Sequence, residues 1–317
     1  MKTNIVKPFR KVSLLLGFDT EAPFDQPHQE EDIKPAIYQT ITIVKSLNSL
    51  FDSYKVSRTF FLLGKFVEKA AKLYNKELIK IFNIDNPLID VQSHAYSHRQ
   101  FRHVPVGMNK PTLTPGQVFE DIKKANEIIS EILHKEPIGL RAPRGYALGL
   151  NNSEELTESV KNAGMHYVSS DLRNKDWQIK TDLFDGHEIR QPRKYSNGLI
   201  EMPSHGWQDM AFSGLDIPGV PQFQKWDKKK VDKYIVGHYT ELMDKAMDES
   251  KKRNKTIYIG GCFHPQAIAV YDGDLKLFRQ ILDIAKEKEV TVESYTSAFN
   301  NIQSLNKKYE QRISNMQ

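Results

Sequence analysis

Residues 11–24 read KVSLLLGFDTEAPF. An apolar run ends abruptly in two carboxylates, Asp19 and Glu21. A run of about six apolar residues is too short for the apolar core of a secretory leader and far too short for a membrane span, so it reads as a buried strand. The two acids then lie where that strand ends. Whether other strands also end in chemically unusual polar residues decides what kind of fold this is.

Several do. VSRTFFLLG (56–64), PLIDVQS (87–93), IGLRAP (138–143), MHYVSS (165–170), LIEMP (199–203), TIYIGGCF (256–263) and VTVES (290–294) are further strand candidates. Between them lie amphipathic stretches. In KPAIYQTITIVKSLNSLF (34–51), Ile37, Ile41, Val44 and Leu47 recur at helical spacing. LTPGQVFEDIKKANEIISEIL (113–133) announces a helix with Thr114 as N-cap and Pro115 at its first position. SEELTESVKNAG (153–164) reads as a helix capped by Ser153 and closed by Gly164, and residues 229–253 and 274–288 read as two more. Strands alternating with helices predict an α/β fold with a parallel sheet, in which chemistry gathers at the C-terminal strand ends.

At 317 residues the chain can bury a sizeable core, and the regular alternation predicts one domain over 1–317. Residues 172–226, rich in Asp, Gly, Pro and aromatics, read as an irregular insertion or strand-rich lip within it. The 45 basic and 40 acidic residues are dispersed, without the basic block or aromatic-interleaved stripe that nucleic-acid binding needs. The single cysteine, Cys262, excludes an intramolecular disulfide framework and fits a reducing compartment. With no leader-like segment seen, the expected location is cytoplasmic, without a membrane span.

The polar residues at strand ends carry the functional reading. In IDVQSHAYSHRQF (89–101), His94 and His98 are four apart. If the segment after the strand coils, both imidazoles reach one side, as two nitrogen ligands of a divalent ion do; otherwise they are polar residues of a surface turn. A carboxylate would complete such a site, and Asp19 and Glu21 offer two. One could bind metal while the other takes a proton from the attacking water; the bland alternative is a solvated acidic turn. Arg141 can pair with the free carboxylate and keep it ionised, or form a structural ion pair. His264 precedes Pro265, so its backbone is expected to be extended and its ring to project from the sheet. With Asp171 as charge partner it would act as general acid.

Taken in order, FDTE, TFFLLG, SHAYSH, LRAPRG, SSDLR and CFHP resemble the polysaccharide deacetylase family, carbohydrate esterase family four, over roughly residues 12–295. The resemblance implies a distorted (β/α) barrel of about seven parallel strands and one divalent metal, usually zinc. It implies hydrolysis of an N-acyl group, most often N-acetyl, from an amino sugar. On that pattern Asp19 is the general base, Glu21, His94 and His98 are the metal ligands, Arg141 holds Asp19, and His264 is the general acid with Asp171 beside it. Related carbon–nitrogen hydrolases on this scaffold, such as deformylases or allantoinase-like ureide hydrolases, and non-catalytic glycan-binding relatives are the alternatives.

Two departures bear on substrate and roles. Thr20 separates Asp19 from Glu21, where the commonest first motif has adjacent aspartates, as in a branch with a D-x-E motif. Arg144 and Gly145 follow the proline of the third motif, where an aromatic is common. A guanidinium at the mouth suits an anionic substrate, or pairs with a rim carboxylate. LIEMPSHGWQDM (199–210) brings His205, Trp207 and Asp209 to the same rim, and the Trp207 indole is a candidate stacking platform for a sugar ring. The expected partner is an N-acylated amino sugar in an oligosaccharide, or in a lipid-linked or nucleotide-linked precursor. His28, His103, His166, His187 and His238 have no evident partner and read as structural.

Overall fold

The structure, a computed structural model, describes residues 11–24, 30–105, 111–207, 209 and 225–314; His28 lies outside them. The opening stretch forms strand β1 (Val12–Thr20), buried along its whole length, as befits a central parallel strand covered on both faces. Its side chains alternate between two environments. Leu14, Leu16 and Phe18 join a core that includes Ile37, Ile41, Val44 and Leu47 of helix α1 (Glu30–Tyr54), the spacing read from sequence. Leu15 faces the other way, onto Phe61, Tyr167 and Tyr295. Gly17 and Asp19 share the period of Leu15, so the first carboxylate points to this inner side.

From α1 the chain runs through β2 (Arg58–Leu62), α2 (Gly64–Ile81), β3 (Ile89–Ser93), α3 (Pro115–Leu133), β4 (Gly139–Ala147), α4 (Glu154–Asn162) and β5 (Tyr167–Arg173). The start of α3 follows its sequence signal: the Thr114 hydroxyl accepts from the Gln117 N–H, the Gln117 side chain returns the bond, and Pro115 takes the first turn. Helix α2 is not among the expected helices; its backbone leaves helical geometry at Tyr74, which splits its apolar face into two shorter runs.

Residues 180–207 contribute six two-residue strands. These are β6 (Lys180–Thr181), β7 (Phe184–Asp185), β8 (Glu188–Ile189), β9 (Arg193–Lys194), β10 (Ile200–Glu201) and β11 (Gly206–Trp207). Then come α5 (Lys228–Arg253), β12 (Ile257–Phe263), α6 (Pro265–Tyr271), α7 (Lys276–Glu287), β13 (Thr291–Glu293) and α8 (Tyr295–Ser314).

The main sheet has the order β12-β1-β2-β3-β4-β5-β10-β9, with β13 also paired to β1. Every pair is parallel except β9 with β10. The end strands β12 and β9 are not paired with each other among the described residues, so the barrel is open and distorted. Because β1, β3, β4 and β12 are mutually parallel, their C-terminal ends share one rim, where FDTE, SHAYSH, RAPRG and CFHP emerge. No helix among the described residues is long and apolar enough to cross a membrane.

Candidate active site

Four strand ends converge. Asp19 and Glu21 leave β1, His94 follows β3, Arg141 lies within β4 and His264 follows β12, and all are buried. Glu21 Oε2 lies 2.9 Å from His94 Nε2 and 2.7 Å from His98 Nε2. Each of these three residues offers one ligand atom within 4.8 Å of the others.

The two histidines do not meet by helical coiling. The segment after β3 is a loop with Ala95 and His98 in the left-handed region, at φ 58° each. The Asp121 carboxylate of α3 accepts the backbone N–H groups of Tyr96 and Ser97 at 3.0 and 3.1 Å. In turn the Ala95 carbonyl accepts from Gly64 N–H at the start of α2. Neighbouring helix ends thus hold the loop in a conformation that non-glycine residues rarely adopt, a cost tolerated where geometry matters for function.

The donor set fits a cation. His94 Nδ1 lies 2.8 Å from the Arg141 carbonyl, an acceptor, so Nδ1 carries a proton and Nε2 is the nitrogen left facing the Glu21 carboxylate. Two acceptors at that separation repel unless a proton or a metal ion offsets them. The same holding of the remote ring nitrogen by a carbonyl orients zinc-ligating imidazoles. Burial raises the Glu21 carboxyl, but the surrounding histidines more than offset it and hold it well below the usual range. Burial lowers His98, with Glu21 opposing, so the ring tends toward its neutral form.

Asp19 has separate partners. The Arg141 guanidinium lies inside the sheet, over the rings of Phe61 and Tyr295, with hydrogen bonds to Ser169 Oγ and the Gly261 carbonyl. Its Nε is 3.1 Å from Asp19 Oδ1, misaligned for a hydrogen bond, so the contact is an ion pair. Gly17 makes room: a Cβ there would meet Arg141 Nη2 at 2.5 Å. The Cys262 thiol donates to Asp19 Oδ2 at 3.4 Å, and burial pushes that thiol's pKa up.

His264 is extended at φ −129°, ψ 121°, ahead of Pro265, as its neighbour dictates. Its Nε2 faces Glu21 Oε1 at 3.6 Å. Its Nδ1 lies 2.7 Å from Asp209 Oδ1, and its backbone N–H donates to Asp209 Oδ2 at 2.6 Å. Burial disfavours the imidazolium, but Asp209 outweighs it and the pKa is pushed up to about 10. Asp209 itself is raised by burial against the pull of His264.

The expected pairing of His264 with Asp171 is therefore corrected. Asp171 is spent on Arg190 and Arg193, at 2.9 Å each. Those arginines come from the 180–207 segment as it folds over β5, and each of them engages one oxygen of the buried carboxylate. His205, expected at the rim as a substrate contact, has both ring nitrogens turned to backbone groups instead. Its Nδ1 accepts from the Gly260 N–H at 3.0 Å and its Nε2 lies 2.8 Å from the Arg190 carbonyl. Burial pushes its pKa down to about 3, so the neutral ring clamps this segment to β12.

Arg144 is half-buried at φ 71°, where the pairing of β4 with β5 slips, and its charge acts on His98. Arg173 anchors that bulge through the carbonyls of Arg144 and Gly145. Trp207 lies on β11, two residues before Asp209; its indole lies outside the described atoms. Asp209 was visible in the sequence as a rim acid, but nothing local tied it to His264, whose partner is set by how the segment folds back.

Comparison with known proteins follows the same lines. The polysaccharide deacetylase family model matches residues 32–168. A candidate polysaccharide deacetylase from Mycobacterium smegmatis superposes with a TM-score of 0.59 at 15% identity, covering 94% of this chain and 92% of its own. An allantoinase, PuuE, gives 0.60 at 14% identity, covering 92% and 90%. A GH57 branching enzyme from Thermococcus kodakaraensis gives 0.60 at 12% identity, covering 91% and 70%. These identities show a shared fold alone. No curated protein sequence matches.

Proposed function

We propose that this chain, whose residues 32–168 match the polysaccharide deacetylase family model, is a hydrolase of that family and removes an N-acetyl group from an amino sugar of a glycan or glycan precursor. The observation that carries this reading is the division of the two β1 carboxylates. Glu21 sits between two imidazoles and Asp19 sits on a guanidinium, a division that supports reading one as a ligand and the other as a base.

In this reading Glu21, His94 and His98 hold one divalent ion, taken as zinc because two imidazoles and a carboxylate suit it. When bound, such an ion supplies Lewis acidity toward the acyl oxygen and makes water easier to deprotonate. Asp19 takes the proton of the attacking water, and Arg141 holds that carboxylate in place through their ion pair. His264, charged through Asp209, donates a proton to the departing amine from Nε2, the ring nitrogen on the Glu21 side. Arg144 stands at the mouth to meet an anionic group of the substrate, and Trp207 is the stacking surface for a sugar ring. The whole chain, 1–317, acts in this proposal as one catalytic domain with residues 172–226 as its insertion.

The test is a product screen on the zinc-loaded protein: acetate from N-acetylated oligosaccharides, formate from N-formyl sugars and ammonia or urea from ureides. Acetate release that disappears in His264→Ala with metal retained supports the proposal. Release from a ureide alone would replace it with ureide hydrolysis. A metal-free His94→Ala protein with full activity would refute the mechanism.

A further inference from the structure

A second concavity lies away from the converging strand ends, along α5 where it passes β6, with a volume of about 470 Å³. Its lining is chemically biased. Lys180, Lys230 and Lys233 surround it together with His238, and Glu241 is its carboxylate. Glu241 is already matched, 2.5 Å from Lys245 Nζ, and Lys180 is paired with Asp182 at 3.6 Å, so the groove's charge is that of Lys230 and Lys233. The space is therefore positive. Lys230 and Lys233 stand three apart on one helix, where like charges repel, so an anion in the groove would relieve a strain already present.

One wall is aromatic. Trp226 and Tyr234 meet edge to face at 5.6 Å, and Lys230 Nζ lies 4.1 Å from the Trp226 ring centroid. Gly237 leaves the floor open, since a Cβ there would meet nothing within 4 Å. His238 Nε2 is shielded from solvent without a hydrogen-bond partner, and burial lowers the ring's pKa, so it is a neutral group with an unmet hydrogen bond. Cations beside an aromatic face are the contacts of an acidic sugar: charge to the carboxylate, ring face to the C–H face. A nucleic acid would need a longer basic track than this one concavity provides.

The groove is also connected to the catalytic rim. Lys180 on β6 pairs opposite Trp207 on β11, and two residues later the chain reaches Asp209, which holds His264. We infer that the α5–β6 groove is a secondary binding site for an anionic saccharide unit of the glycan being deacetylated. This rests on the reading of the chain as a glycan deacetylase.

The experiment is calorimetric titration of the zinc-loaded protein at low salt with three probes: a hyaluronan tetrasaccharide, chitotetraose and inorganic phosphate. The parent, Lys230→Gln/Lys233→Gln and Trp226→Ala are compared, with thermal melts to show that the variants are folded. The acidic tetrasaccharide is expected to bind at least tenfold more weakly to either variant, to weaken with salt, and to bind the parent more tightly than chitotetraose does. Binding equal in parent and variants, or phosphate binding as tightly as the acidic sugar, would overturn the inference. Groove-dependent binding with no acetate released from any glycan would sink the deacetylase reading while leaving the groove standing. Acetate release with groove-independent binding would do the reverse.

Discussion

Asp209 grips His264 at two points, its Oδ2 accepting the backbone N–H at 2.6 Å and its Oδ1 lying 2.7 Å from Nδ1. The carboxylate therefore fixes both the position and the charge of the ring. In the parent the imidazolium persists until pH rises through about 10. In Asp209→Asn the largest raising interaction is lost and only the weaker pull of Glu21 and Asp19 is left to oppose burial, so the ring loses its proton at a lower pH. The basic limb of the pH–rate profile should move to lower pH and kcat should fall by roughly 10²–10⁴, with metal content unchanged. A basic limb that stays in place would show that His264 does not act as the acid.

Asp171→Asn is expected to act on stability instead. It leaves Arg190 buried and Arg193 part-buried without their shared carboxylate, a change that costs about 3–5 kcal/mol for a buried pair. Chemical denaturation should show the loss, while kcat of the folded fraction falls less than in Asp209→Asn. The opposite ranking would restore Asp171 to the catalytic chain.

Gly17→Ala should impair turnover without touching a ligand. The added methyl would stand 2.5 Å from Arg141 Nη2 and 3.0 Å from the Phe61 ring, displacing the guanidinium that faces Asp19. Misplacing a catalytic group by about 1 Å can cost about 100-fold. Reduced kcat with the parent's zinc content is the expected result; full activity would mean that Arg141 does not hold the base.

His94→Ala/His98→Ala should bind no divalent ion where the parent binds one equivalent, measured by elemental analysis after mild dialysis. Equal metal content in the two proteins would remove the ligand assignment.

The His205 clamp makes a prediction about acid stability. Its folded pKa, near 3, lies below the ordinary 6.5. Between those values the unfolded chain binds the extra proton, so stability falls as pH drops through this window. His205→Gln should flatten that acid limb in melts between pH 7 and 4. An unchanged slope would mean that other groups set it.

Much of the rim was legible before the fold. Asp19, Glu21, His94, His98, Arg141 and His264 each follow or end a short apolar run, and a parallel βα alternation brings such positions to one end of the sheet. His94 and His98 reach Glu21 from one loop and not from one helical turn. Asp121, on α3, holds the loop between them, and a contact across 24 residues leaves no periodic trace. His205 misled because an imidazole beside a tryptophan reads the same in a chain whether it meets a sugar or two backbone groups.

The sequence by itself determined the strand-end chemistry, because side-chain period and parallel strand direction follow from local covalent geometry. Tertiary structure alone decided which charges pair. Whether Asp171 or Asp209 reaches His264, and whether Asp19 or Glu21 lies between the histidines, turns on a few ångströms in how the 180–207 segment folds over β5 and how β1 ends. Ion pairing is short-ranged and indifferent to chain order, so distance in space, which no local pattern records, selects the partner.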